Sequence, residues 1–130
     1  MNFINAKRFD LLEFALDGTN KRHEAISNNV ANVNTPGYKR EYVEFESVLQ
    51  NKVENFMDLD LTHNKHIEIS EVGGIDIKKE EDYYTRRDEN NINIDKENAD
   101  MAKNSIMYNA LVRQMSGQLN RLRTVIRDGR

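Results

Sequence analysis

Apolar positions recur along both ends of the chain with a spacing that suits long helices. Phe9, Leu12, Leu16, Thr19, His23, Ile26, Val30 and Val33 follow one another in alternating steps of 3 and 4. That is a heptad seam with two polar interruptions, Thr19 and His23. Met101, Ser105, Tyr108, Val112, Met115, Leu119, Leu122 and Ile126 repeat the rhythm near the other end. The spacing predicts one helix over about 6–33 and another beginning near Asp95. There the acids Asp95, Glu97 and Asp100 suit the positive end of the helix dipole, as Arg121, Arg123 and Arg127 suit the negative end.

Two seams of equal length predict antiparallel pairing. Phe9, Leu12, Leu16, Ile26 and Val30 then face Tyr108, Val112, Met115, Leu119, Leu122 and Ile126. Leu16 is set against Leu119, Phe9 against Ile126 and Ile26 against Tyr108. In this register Gly18 and Gly117 also face each other, as two glycines would where helix backbones approach closely. Leu11, Phe14, Ala15, Ile106, Met107, Ala110, Leu111 and Val125 lie off the seam. An isolated hairpin leaves them bare, which points to self-assembly or a helical partner unless the middle of the chain folds back over them.

Between the helices the pattern is shorter. Phe45, Val48, Leu49, Lys52, Val53 and Phe56 predict a helix over 44–57. HIEIS (66–70) and IDIKK (75–79) alternate around Gly73-Gly74 and predict a small β-hairpin. NNINID (90–95) is an extended segment or the approach to the last helix. The expected fold is mainly α: long N- and C-terminal helices paired as an antiparallel coiled-coil-like hairpin, with a small irregular α/β middle segment. Residues 1–36 and 95–130 form one assembly unit and 37–94 the segment between them.

Charge sharpens this division. The net charge of −3 separates into +2 over 1–40, −10 over 41–100 and +5 over 101–130. The acidic middle is thus a solvated element distinct from the two basic ends. The chain has no cysteine, which excludes disulfides and thiolate metal sites. No apolar run is long enough to span a bilayer, and MNFINAKRFD lacks the apolar stretch of a cleaved signal peptide.

The chemistry-bearing residues are sparse. His63 and His66 form an i, i+3 pair in HNKH, but nothing at defined spacing completes a metal site. His23 sits in the seam as a satisfied histidine or a register-setting polar group. No nucleophile elbow or phosphate-cradling glycine loop is present, and Glu80-Glu81-Asp82 has the character of a solvated loop. The arginines of the last helix share it with the apolar seam and neighbour a strongly acidic block, which argues against nucleic acid. These observations point away from an enzyme, and toward no cofactor, no metal, no nucleic acid and no small-molecule substrate.

The end of the first helix is the most specific local feature. Thr35 precedes Pro36, the chain's one proline, and is biased to extended dihedrals, so the helix stops before it. Asn34 is placed to adopt the left-handed C′ conformation. Pro36-Gly37 suits the centre of a type II turn. This turn chemistry does not explain Asn28, Asn29 and Asn32, which sit in the last turns against their helix propensity. Their amides are placed to bond free carbonyls at the helix end or a neighbouring chain.

SNNVANVNTPGYKR resembles the N-terminal signature of the flagellar axial proteins, the rod, hook and hook-associated family. That signature runs S-x-N-[IV]-A-N-x-[ND]-T-x-G-[YF]; Asn29, Ala31, Asn32, Asn34, Thr35, Gly37 and Tyr38 match it, with Pro36 inside the turn. YKREYVEFESVL and, more loosely, LTHNKHIEI are similar to the same family. NNINID before EN-x-DMAKN, then Tyr108 to Leu111 and the ending LNRLRTVIRDGR, are similar to its small proximal-rod members. Other branches carry an arginine-aromatic-glutamate element in the last helix.

The resemblance implies a non-enzymatic subunit of the proximal rod in the bacterial flagellar basal body. It implies terminal helices packed into a tube, and export through the flagellar type III apparatus without a cleaved signal. It further implies a place in the periplasm above the inner-membrane ring. The partners implied are copies of itself, other rod subunits and a basal-body junction protein, with the asparagine-rich turn as an intersubunit joint. Before assembly the helix ends are expected to be labile. The rival expectation is a cytosolic helical-hairpin adaptor or secretion chaperone that binds partner helices with the same apolar faces.

Overall fold

The computed structural model describes residues 3–61, 74–80 and 87–128. The elements are α1 (Phe3–Ala31), β1 (Glu41–Val43), α2 (Glu46–Leu61), β2 (Ile77–Lys79) and α3 (Ile94–Asp128). Helices α1 and α3, of 29 and 35 residues, run antiparallel along each other. Asn29 meets Glu97 at one level, and ten residues earlier on α1 the Asn104 amide donates to the Thr19 carbonyl at 2.9 Å. The hairpin of terminal helices expected from the two seams is therefore present.

Its register differs. In the expected pairing Asn104 would lie far from Thr19; in the structure α3 has slid by roughly ten residues, close to three turns. Leu16 does not face Leu119, nor Phe9 Ile126, nor Ile26 Tyr108. Polar contacts set the slide: Asn29 and Thr19, both fully buried, hold Glu97 and Asn104 against α1. A heptad repeat is equally satisfied by a shift of whole heptads and nearly so by other steps, so apolar spacing alone could not select among registers.

Gly18 and Gly117 consequently do not face each other. An atom added at Gly18 in the Cβ position would fall 2.5–2.8 Å from three ring carbons of Phe45, whereas Gly117 has open space around it. The close approach inferred at Gly18 is real, but its partner is the side chain that follows β1. Phe45 is fully buried there and joins Ala25, Val43 and Ile75 in the core, with Phe14, Leu49 and Met107 packed against it. Two of the off-seam positions, Phe14 and Met107, thus pack against the middle of the chain, and Ala15 is also buried. Ile106 and Val125 are not covered; each is 70% exposed.

The predicted helix over 44–57 appears as α2. The strand expected within 75–79 appears as β2, but it pairs antiparallel with β1, Tyr42 opposite Lys78. The proposed hairpin partner 66–70 lies outside the described residues. Asn29 fixes which edge of β1 is open to β2. Its amide donates to the Glu41 carbonyl at 2.7 Å and accepts the Glu41 N–H at 2.8 Å. Backbone groups of alternate strand residues point to opposite edges. Asn29 occupies one edge of β1 like a third strand, and the other edge is left for β2, whose pairing continues as Glu80 N–H donates to the Arg40 carbonyl at 2.9 Å.

The first four residues of NNINID, 90–93, are the extended approach to α3, which begins at Ile94. Asn93 caps that helix, its side-chain oxygen accepting the N–H groups of Asp95 (3.0 Å) and Lys96 (3.2 Å).

Candidate functional site: the joint at the end of the first helix

Helix α1 stops as turn chemistry requires, with one correction. Tyr38 N–H donates to the Thr35 carbonyl at 3.3 Å and Gly37 has φ +72°, so Pro36-Gly37 forms the predicted glycine-bearing turn. Asn34 is not left-handed; among described non-glycine residues only Glu89 is, at φ 61°. The last carbonyls of the helix are met locally instead, those of Asn28 and Asn29 by the Asn32 N–H (3.0 and 3.1 Å) and that of Val30 by the Val33 N–H (3.4 Å). The fully buried Asn90 amide donates to the carbonyls of Asn32 (3.1 Å), Val33 (3.2 Å) and Thr35 (2.8 Å). This ties the turn that follows the helix to the segment leading into α3.

The asparagines then separate into two sets. Asn29 is wholly internal, joining α1 to β1 and to the Glu97 carboxylate. Asn32 works locally: its amide donates to the Asn28 carbonyl at 2.8 Å and its oxygen accepts the Thr35 hydroxyl at 3.2 Å. Ala31, Asn34, Thr35, Pro36 and Gly37 are exposed, and Tyr38 is half-buried. Burial raises the Tyr38 hydroxyl above its ordinary pKa, as does the Glu41 charge, against the opposing hydrogen bond from Asn32.

Behind the turn lies a polar staple. Glu97 is fully buried; one oxygen accepts from Asn29 at 3.0 Å and the other from Arg40 Nε at 2.5 Å. Arg40 also reaches Asp100 at 3.3 Å and Glu80 at 3.6 Å. Burial by itself works against the charged guanidinium, but the Glu97 hydrogen bond and the charges of Glu97, Glu80 and Asp100 outweigh it and raise the Arg40 pKa. Asn91 completes the staple by accepting the Arg40 N–H at 2.6 Å and donating to the Glu80 carbonyl at 3.0 Å. One cluster therefore fastens α1, β1, the 87–93 approach and α3 together at one end of the hairpin.

Of the seam residues, Ile26 is buried and Phe9, Leu12, Leu16, Val30, Met115 and Leu122 are half-buried. Tyr108, Val112, Leu119 and Ile126 are exposed, Ile126 at 73%. Sequence reasoning missed Arg40, Asn90 and Asn91 and assigned Glu97 only to the helix dipole. An unusually polar run, NN followed by a helix whose first turn holds an acid, was the one available signal. Among the described residues no three His, Cys, Asp or Glu gather in a metal-holding group; His63 and His66 lie outside them. No described helix is long and apolar enough to cross a membrane.

The geometry is thus a helical hairpin with a stapled turn at one end and bare apolar positions along α3. Residues 14–39, which span the last two-thirds of α1 and the turn, match the family of flagella basal body rod proteins. The likeness extends well beyond that segment. The flagellar basal body rod protein FlgB of Bacillus subtilis is 33% identical over 120 residues, 92% of both chains. Its namesake in Borrelia hermsii is 32% identical over 76% of this chain and 80% of its own. That of Aquifex aeolicus is 31% identical over 82% of each. The chain belongs to the FlgB family of flagellar basal body rod proteins, a structural family.

Proposed function

We propose that the chain is a structural subunit of the proximal rod, assembling through α1 and α3 into the periplasm-spanning shaft that transmits torque for motility. The observation that carries this is the set of large apolar side chains left bare along α3 in a member of a rod family. Ile106, Val125 and Ile126 are each at least 70% exposed, and burying such residues between subunits is the ordinary driving force for assembly. Copies of itself and other rod subunits supply the covering faces, with the basal-body junction protein and inner-membrane ring at its base. The chain reaches that position through the flagellar type III export apparatus.

The exposed part of the signature, Ala31 with Asn34 to Gly37, is the intersubunit joint in this reading. Asn29 and Asn32 hold the joint's shape from inside the subunit. Assembly also completes the order of the far helix ends, so their amides exchange faster in the free subunit than in the rod. The test is genetic and biochemical. Deleting the gene abolishes swimming, and a tagged chain that restores it co-purifies with detergent-extracted basal bodies. Recovery only in the soluble fraction would instead favour a helical adaptor.

A further inference from the structure

Helix α1 carries an acidic stripe on the side away from the core. Asp10, Glu13, Asp17 and Glu24 step by 3, 4 and 7 and are all exposed, whereas Ala15, Ala25 and Ile26 on the opposite side are buried. None of the four acids makes an ion pair among the described residues. The neighbouring bases are used toward the middle of the chain: Lys21 donates to the Ile75 carbonyl, and Arg22 to the Val43 carbonyl and Glu46. Each acid directly follows a seam position, namely Phe9, Leu12, Leu16 and His23.

Helix α3 carries the complement. Arg113, Arg123 and Arg127 also directly follow seam positions, Val112, Leu122 and Ile126. All three are exposed, and none makes an ion pair among the described residues. No Asp or Glu occurs between 101 and 127. The chain does not join the two stripes itself. Thr19 lies level with Asn104, so with equal rise along both helices Phe3, where described α1 begins, comes level with about residue 120. Arg123 and Arg127 project past that point. Arg113 comes level with Asp10, but the two lie on outward faces.

We propose that α3 of one copy docks antiparallel on α1 of the next, Arg127 against Asp10, Arg123 against Glu13 and Arg113 against Glu24. A single register brings all three pairs level, about 14 residues from the register within the chain. To within about two residues it is also the register of the apolar seams, Leu119 against Leu16 and Ile126 against Phe9. Leu119 and Ile126 are bare in the single chain, 46% and 73% exposed. The seam pairing that the hairpin does not make internally is thus made between copies. On both helices the charges flank the apolar line in the same rotational sense. Antiparallel pairing therefore sets acids and arginines along one side of the interface, whereas parallel pairing would separate them.

This rests on the rod-subunit reading, since both require the chain to associate with itself, and it adds a geometry. Successive copies point the same way, and the difference in register displaces each by about 20 Å along the helix axis. Two different surfaces meet with an axial displacement. The contact therefore closes neither as a two-fold dimer nor as a flat ring, and it propagates as a helix.

Disulfide cross-linking tests it, since the chain has no cysteine of its own. The E13C/R123C variant, oxidised at high concentration or in detergent-extracted basal bodies, gives a ladder of linked multimers. Within one chain the two positions stand about 20 Å apart along the axis, too far to bridge. E13C/S116C, two turns out of register, gives no ladder. In sedimentation velocity, D10K/E13K and R123E/R127E, each with an unchanged thermal unfolding curve, weaken self-association at least about tenfold, the scale of two exposed pairs turned repulsive. An equimolar mixture of the two recovers it. The proposal is overturned if E13C/R123C links no better than E13C/S116C, if either reversal leaves association unchanged, or if the mixture does not recover. Should the chain still occupy basal bodies after such a failure, assembly stands through other surfaces. A chain absent from basal bodies loses the rod role itself.

Discussion

Replacing Gly18 by alanine separates two explanations of a glycine inside a helix. At an open helical position the change stabilises by about 1 kcal/mol, because alanine gives up less conformational freedom. At Gly18 the new methyl would sit 2.5, 2.6 and 2.8 Å from Cδ2, Cγ and Cε2 of Phe45. Ordinary carbon contacts are about 3.5–4.0 Å, so the ring must retreat by roughly 1 Å. It has nowhere easy to go. Phe45 is fully buried among Ala25, Val43 and Ile75, and the Arg22 guanidinium lies 4.6 Å from its ring centroid. That guanidinium is itself held by the Val43 carbonyl at 2.9 Å and by Glu46.

Overpacking costs about 1–3 kcal/mol, and contacts this short belong to the upper part of that range, about 2–3 kcal/mol, which exceeds the propensity gain. The expected net loss is about 1–2 kcal/mol, a fall in melting temperature of roughly 3–8 °C for a chain of this size. Gly117→Ala, with no atom within 4 Å, is expected to stabilise by up to about 1 kcal/mol. Urea unfolding followed by circular dichroism measures both. In a Phe45→Ala background the Gly18→Ala change should reverse sign, a coupling that a double-mutant cycle reads directly. If Gly18→Ala proved as stable as the wild type, or coupled to Gly117 and not to Phe45, the packing argument would fail.

Three further outcomes are expected. Arg40→Met leaves the buried Glu97 carboxylate with Asn29 as its remaining partner and should destabilise by about 3 kcal/mol; the Arg40→Met/Glu97→Met double variant should recover much of that, as thermal melts would show. The Glu46 carboxyl titrates below its ordinary value: its own burial opposes the shift, but the Arg22 hydrogen bond and charge prevail. Its stabilisation is therefore present above the ordinary carboxylate pKa of about 4.5 and is lost as pH falls through the depressed value. Stability measured from pH 6 to 3 should drop less steeply in Glu46→Gln than in the wild type. Glu89 carries a left-handed φ of 61°, which costs a glutamate more than an asparagine. Glu89→Asn should raise stability by several tenths of a kcal/mol, and a lower urea midpoint would count against that strain.

The comparison of sequence with structure turns on particular residues. The paired helices, α2 and the turn at Pro36-Gly37 were legible because each depends on neighbours in the chain: a 3–4 spacing, a proline's effect on the residue before it, a glycine's tolerance of positive φ. The role of Asn29 was not legible. Its helix propensity marked it as out of place, but Glu41 and Glu97 are its partners 12 and 68 residues away. The same holds for Gly18: a helical glycine announces a close approach without saying to what, and Phe45 was as available as Gly117.

What the sequence determined by itself is therefore the identity of the local pieces and, through the SNNVANVNTPGYKR signature, the company the chain keeps. The tertiary structure alone decided how far α3 slides along α1, which strand β2 joins and which asparagines face inward. Apolar burial is non-directional and nearly indifferent to a shift along a repeating seam. Buried hydrogen bonds such as Asn29 to Glu41 and Glu97 are not, because each lost partner leaves a desolvated polar group. The register is set where those few polar groups can all be satisfied at once.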